Sequence, residues 1–197
     1  MLAPRNDKVE AINMSLLNKL PGHNTTYKSI DTVVEQNDAV QYPTEFLDSL
    51  QPPGLPPHSL LLKIRAPIMR IRNLYAPKLC NGTRLAVKSM MPHVLEATIL
   101  TGPGTGEDVF IPRIPLIPVD MPFEFKRLQF PVRLSFAMPI NKSQGQSLKV
   151  VGLYLESMCF SHGQLYVGSS RVGSSRNLFI LAKDVKTANI VYPLALP

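Results

Sequence analysis

Near the start of the chain Val9, Ile12, Leu16, Leu17 and Leu20 recur at helical spacing and lie on one face of a predicted helix. Asn6 or Asp7 can cap it, Pro21-Gly22 ends it, and residues 1–4 precede it as a short strand. From residue 25 to residue 50 the pattern weakens into short alternating pieces around Tyr27, Ile30, Val33 and Val34. The following QPPGLPP, residues 51–57, is too rich in proline for a helix or a central strand and predicts a linker. Residues 60–64, 68–72 and 83–87 read as short strands broken by turn signals at Ala66-Pro67, Ala76-Pro77 and Asn81-Gly82, a spacing that suits a small β-barrel. Residues 96–100 and 109–114 are expected to pair around the glycine-rich TGPGTG at 101–106. Pro112, Pro115, Pro118 and Pro122 then punctuate an extended run to Phe125, an edge strand or a surface strap. Pro131 is expected to open a helix carrying Leu134, Phe136, Ala137, Met138 and Ile140. Residues 148–155 read as a buried strand, 163–170 as a helix and 177–181 as a last strand, the alternation of a parallel sheet with covering helices.

At 197 residues the chain can form one domain with a small insert. A parallel-sheet strand at the first methionine, with no turn before it, suggests a piece of a longer polypeptide. The excess of 21 Lys and Arg over 14 Asp and Glu, a net charge of +7, tilts the expectation mildly toward a polyanionic partner. Cys80 and Cys159 stand far apart and outside any C-x-x-C, which supports neither a disulfide framework nor a zinc site, and no bound metal is expected. No run approaches the roughly 20 apolar residues of a membrane helix, and charges stand where a signal peptide needs an apolar run. The expectation is an intracellular, nuclear monomer without membrane contact.

Three segments carry candidate chemistry. TGPGTG resembles a phosphate cradle, but a P-loop continues with a lysine and a Ser or Thr, and here Glu107-Asp108 follows, so a β-turn is the better reading. In the second, INKSQGQS at 140–147, Lys142 offers a charge to a phosphate. Asn141, Ser143 and Gln144 offer neutral hydrogen bonds, and Gly145 lets backbone approach closely. The same residues could equally be a polar helix end with a solvated lysine. In the third, GQLYVGSSRV at 163–172, Arg171 follows a short helix, where a guanidinium can stabilise charge on a transferring phosphoryl group or simply edge the sheet.

KSQGQS and GQLYVGSSRV, separated by one buried strand, resemble the last two motifs of superfamily-one 5′-to-3′ DNA helicases of the petite-integration-frequency (Pif) type. They are closer still to the helicase half of Helitron rolling-circle transposon proteins. The likeness extends to LAPRNDKVEAIN at the start, YKSID, LPPHSLLLKI, LCNGTRL and FPVRLSFAM. It implies an α/β fold, a second RecA-like motor domain of the P-loop NTPase type with a mainly parallel sheet, formed by residues 1–45 and 91–197. A small β-barrel 2B insert would occupy residues 46–90. The resemblance implies that Arg171 is an arginine finger for the ATP γ-phosphate and that Gly145, Gln146 and Gln164 lie on the nucleotide side. It implies that Asn141, Lys142, Ser143 and Gln144 face single-stranded DNA.

The family's P-loop lysine and magnesium-binding acidic pair do not occur in these 197 residues. ATP and Mg2+ are therefore expected only when a P-loop motor domain, in cis or in trans, completes the site. Pro139 stands where the family usually has a threonine that meets the DNA backbone, and a proline inside a helix costs about 3 kcal/mol. Gly168-Ser169 replaces a bulkier pair. Arg65 and Arg70 fall on the expected barrel strands, where an unpaired charge pointing inward is costly. The alternative is a non-catalytic, transposon-derived interaction or DNA-binding module, with the proline-rich segment at 51–57 as a docking site for another protein.

Overall fold

The structure is a computed structural model describing residues 1–34, 42–73, 79–118 and 121–192; the turn expected at Ala76-Pro77 lies outside these. In chain order the elements are strand β1 (Leu2–Ala3), helix α1 (Asn6–Lys19), strands β2 (Thr25–Lys28) and β3 (Ile30–Val33), and helix α2 (Thr44–Ser49). Strands β4 (Ser59–Leu62), β5 (Pro67–Arg70), β6 (Arg84–Met90), β7 (Val94–Ile99) and β8 (Asp108–Pro112) follow. Then come β9 (Ile114–Leu116), β10 (Phe125–Gln129), β11 (Val132–Leu134) and β12 (Met138–Pro139), with a 3-10 turn at Ile140–Ser143. Strand β13 (Val151–Leu155), helix α3 (Gln164–Ser169) and strand β14 (Leu178–Ala182) complete the order. No described helix is long and apolar enough to cross a membrane.

The chain divides into two compact units, Met1–Asn18 with Phe136–Pro197, and Lys19–Ser135. The first is built on a parallel four-stranded sheet in the order β12-β1-β13-β14. Leu2, Met138, Ile140, Val151, Leu153 and Leu155 form its main core. Helix α1 buries Val9, Leu17 and, between them, Asn13. Both ends of that buried amide are bonded: it donates to the Ala137 carbonyl at 3.1 Å and accepts from the Ala137 amide at 2.8 Å.

The helix expected after Pro131 does not form. Residues 132–134 are β11, paired antiparallel with β5, and Met138–Pro139 is β12, the edge of the parallel sheet. Val132, Leu134, Phe136, Met138 and Ile140 also alternate with period two, so the apolar pattern fits a strand as well as a helix, and pairing with Ile68 and Leu2 decides between them. The proline penalty disappears with the helix. Pro139 ends an edge strand and leads into the 3-10 turn with φ −61°, a geometry its ring already holds.

The second unit is antiparallel: a five-stranded sheet in the order β11-β5-β6-β7-β8, a three-stranded sheet β3-β10-β9, and the pair β2-β4. Ile68, Leu85, Val87, Leu95, Ile99 and Phe130 centre its larger core. The hairpin expected around TGPGTG is present as β7 and β8, with Glu96 opposite Phe110. Because β7 and β8 continue the sheet of β5 and β6, the compact unit runs beyond the 46–90 span of the expected insert. The amides of the loop are used internally, Gly106 to the Ile99 carbonyl at 2.8 Å and Glu107 to that of Gly104 at 2.9 Å, so they do not form an open cradle.

QPPGLPP is not a linker. Pro52, Leu55 and Pro56 are buried, and Leu55 joins Leu47, Leu116 and Phe125 in a second core. Beside that core Asp31 and Arg127 stand directly opposite each other across β3 and β10, both completely buried. Arg127 Nε donates to both Asp31 oxygens at 3.1 and 2.9 Å, and its other nitrogens reach the Pro56 and Leu47 carbonyls at 3.1 Å each. Asp48 and His58 come close to Asp31, with His58 Nδ1 at 3.2 Å from Asp48, but the Asp31 carboxylate is occupied by Arg127. Of the two arginines flagged on strands, Arg65 is exposed in a turn at φ 67°. Arg70 is fully buried, donates twice to the Arg72 carbonyl, and has no partner for Nη1 among the described residues. Burial pushes its guanidinium down to about 10.

Candidate nucleic-acid interface

Parallel strands bring their carboxyl ends to one edge of a sheet, and the loops that leave them are where open α/β sheets place ligands. Here the residues after β1, β12 and β13 meet in an open groove of about 740 Å3, lined by Pro4, Arg5, Asn6, Asn141, Lys142 and Phe160 among others. Ile140 is sunk into the core, and the 3-10 turn that follows throws Asn141 and Lys142 outward, both exposed. Arg5 Nε is tied to Asp7 at 3.1 Å, whereas Lys142 has no ion-pair partner among the described residues. The groove thus offers one unbalanced positive charge flanked by two amides.

Ser143, expected to face DNA, turns inward instead: it is fully buried and its hydroxyl donates to the Ile140 carbonyl at 2.6 Å, closing the turn. Gln144 remains exposed. Gly145 follows at φ 77°, a conformation glycine adopts without the Cβ clash, and so sends the chain back toward β13. Gln146 then bridges two parts of the site. Its side chain donates to the Lys142 carbonyl at 3.1 Å, and its own carbonyl accepts from Arg171 Nη1 at 3.3 Å.

Arg171 lies just past α3, half-buried. Its Nε donates to the Val167 carbonyl at 2.8 Å and Nη2 to the Ser170 hydroxyl at 2.7 Å. A guanidinium carries five N–H donors, so these bonds and the one to Gln146 fix its plane and leave two donors for a ligand. Gln164 was expected beside the nucleotide; it is buried, and its amide bonds three residues that line the groove. It accepts from the Phe160 amide at 3.1 Å and donates to the Pro4 carbonyl at 3.2 Å and to Asn141 Oδ1 at 3.4 Å. The structure therefore joins Gln146 to Arg171, and Gln164 to Asn141.

Arg5, Asn6 and Phe160 were not expected in the site from the sequence. Their signal was positional, since each follows a strand of the parallel sheet at its carboxyl end.

A parallel sheet with an antiparallel unit inserted between its first helix and its remaining strands has the layout of a RecA-like fold carrying an inserted domain. The family described as "DNA helicase Pif1, 2B domain" matches residues 45–90. The chain is 32% identical over 136 residues to the ATP-dependent DNA helicase PIF6 of Trypanosoma brucei brucei, covering 64% of this chain and 16% of that protein. It is 30% identical over 190 residues to the ATP-dependent DNA helicase PIF1 of Rattus norvegicus, covering 93% of this chain and 27% of that protein. Among solved structures, the fold superposes on the Pif1 helicase of Candida albicans with a TM-score of 0.70 at 24% identity, over 92% of this chain and 45% of that one. On Bacteroides Pif1 bound to ssDNA the TM-score is 0.68 at 19% identity, over 91% and 39%. Residues 45–90 match the Pif1 2B domain model, and the chain as a whole is similar to Pif1 helicases in sequence and fold. It spans about a quarter or less of the length of these two curated relatives.

Proposed function

We propose that this chain is the part of an ATP-dependent DNA helicase that grips single-stranded DNA and lends an arginine to ATP hydrolysis carried out with a P-loop domain. The observation that carries the reading is the arrangement of residues 141–146: Lys142 and Asn141 open onto the groove while Gln146, four residues on, holds Arg171. Lys142 neutralises phosphate, Asn141 and Asn6 hydrogen-bond the backbone, and Arg171 meets charge developing on a γ-phosphate. A P-loop lysine and a magnesium-binding acidic pair must come from another domain, so these residues alone do not turn over ATP. In this reading the 2B-like segment at 45–90 belongs to the larger antiparallel unit Lys19–Ser135, and the parallel-sheet unit carries the groove and Arg171. The closer motif likeness to Helitron helicases supports a transposon lineage. Burial of Pro52, Leu55 and Pro56 in the proline-rich segment favours this reading over docking through that segment.

Fluorescence anisotropy with a labelled single-stranded oligonucleotide tests the reading. Binding is expected to weaken as salt rises, and Lys142→Ala to reduce both affinity and the salt slope, the latter by about 0.7 for one phosphate on a single strand. Arg171→Ala is expected to leave DNA binding nearly unchanged. Salt-insensitive or absent binding, or the reverse order of the two variants, would refute the assignment.

A further inference from the structure

Phosphate contacts account for the polar wall of the groove but not for its apolar one. Phe160 lines the groove and is 59% exposed, while the preceding Cys159 is buried in the core. An exposed phenyl ring in the same groove as an unbalanced lysine gains nothing from water. Nor does it hang from a loose loop. Its backbone amide is held by buried Gln164, the same carboxamide that binds the Pro4 carbonyl and Asn141 Oδ1. One amide therefore ties together the loop after β1, the turn after β12 and the segment after β13, and holds the Phe160 backbone in the same groove as the lysine that would hold phosphate.

From this juxtaposition we propose that Phe160 is a stacking platform for an unpaired nucleobase, with Gln164 as its positioning residue. The inference deepens the single-strand reading above and rests on it. Every base has a π face, so a ring in this place accepts any sequence. Bases in a duplex are already stacked on one another and cannot cover it. Lys142 attracts either form of nucleic acid, whereas Phe160 selects the single strand.

The chain contains no tryptophan, so Phe160→Trp places one indole in the groove as a reporter. The test compares oligo(dT) with an abasic oligomer of equal phosphate count. Indole emission is expected to be quenched to saturation by oligo(dT) and little changed by the abasic strand. In anisotropy titrations Phe160→Ala is expected to bind oligo(dT) about five- to a hundredfold more weakly with an unchanged salt slope. The abasic strand is expected to bind Phe160→Ala and the parent chain alike. Gln164→Leu is expected to lose the preference for oligo(dT) over the abasic strand while retaining abasic binding and a cooperative thermal transition. Equal affinity of the parent chain for both oligomers, or full oligo(dT) affinity in Phe160→Ala, would overturn the stacking role and leave the phosphate reading standing. Failure of the parent chain to bind either oligomer would overturn both.

Discussion

Removing the carboxylate of Asp31 strands a buried cation. In the native fold Arg127 directs Nε and Nη2 at Asp31 and its remaining bonds at the Pro56 and Leu47 carbonyls, with no part of either charged side chain exposed. Asp31→Ala deletes the counter-charge and leaves only the two carbonyl bonds, so the guanidinium stays out of water without neutralisation. Breaking such a pair costs about 3–5 kcal/mol. For a chain of this size that corresponds to a fall of about 6–20 °C in Tm. Replacing both partners by apolar residues, Asp31→Leu with Arg127→Met, removes both charges from the interior and is expected to recover most of the loss. Urea denaturation followed by circular dichroism, run on the two single variants and the double variant, measures the coupling. A cost below about 1 kcal/mol for Asp31→Ala, or a double variant as unstable as the sum of the singles, would refute the reasoning.

Arg70→Met exchanges a buried, partly unpaired guanidinium for an apolar chain and is expected to leave stability unchanged or raise it, measured as the urea midpoint. The folded state depresses the Arg70 pKa to about 10, so it binds fewer protons than the unfolded state above that pH. The Arg70 contribution to stability should therefore rise as pH increases beyond about 10, and the advantage of Arg70→Met should shrink there. In Gly168→Ala a Cβ would meet Leu153 Cδ2 at 2.9 Å, the movable end of a side chain, while the helix gains about 1 kcal/mol of propensity. The net change in ΔG is expected to stay within about 1 kcal/mol, whereas Gly168→Leu should lower the thermal midpoint through overpacking. Pro139→Thr returns a hydroxyl to the groove at an edge-strand position that tolerates either residue. It should tighten oligonucleotide binding with little change in Tm; weaker binding would mean that this residue does not face the strand.

What could be read from the sequence follows physical rules that act locally. The helix carrying Val9 and Leu17, the hairpin around TGPGTG and the parallel pairing of residues 151–155 with 178–182 all declare themselves by periodicity or turn chemistry. Residues 132–140 did not, because their apolar positions satisfy both periods and only partners more than 60 residues away in sequence select the strand. The proline-rich segment misled for a related reason. Proline density excludes regular structure but does not exclude burial, and Leu55 has a core to enter. In the site, Lys142, Asn141 and Arg171 were legible as chemical types at motif spacing. The inward turn of Ser143 and the role of Gln164 were not, since each depends on a hydrogen bond to a carbonyl that the motif does not encode.

The central claim is that one short segment separates two tasks, strand contact at Lys142 and nucleotide contact through Arg171. It is tested most directly by joining the chain to a P-loop motor domain and measuring DNA binding and DNA-stimulated ATP hydrolysis on the same preparations. Arg171→Ala should lower hydrolysis by about 10³-fold or more while DNA affinity holds. Lys142→Ala should weaken DNA binding and preserve hydrolysis at saturating DNA. Hydrolysis indifferent to Arg171→Ala, or DNA affinity indifferent to Lys142→Ala, would contradict the account.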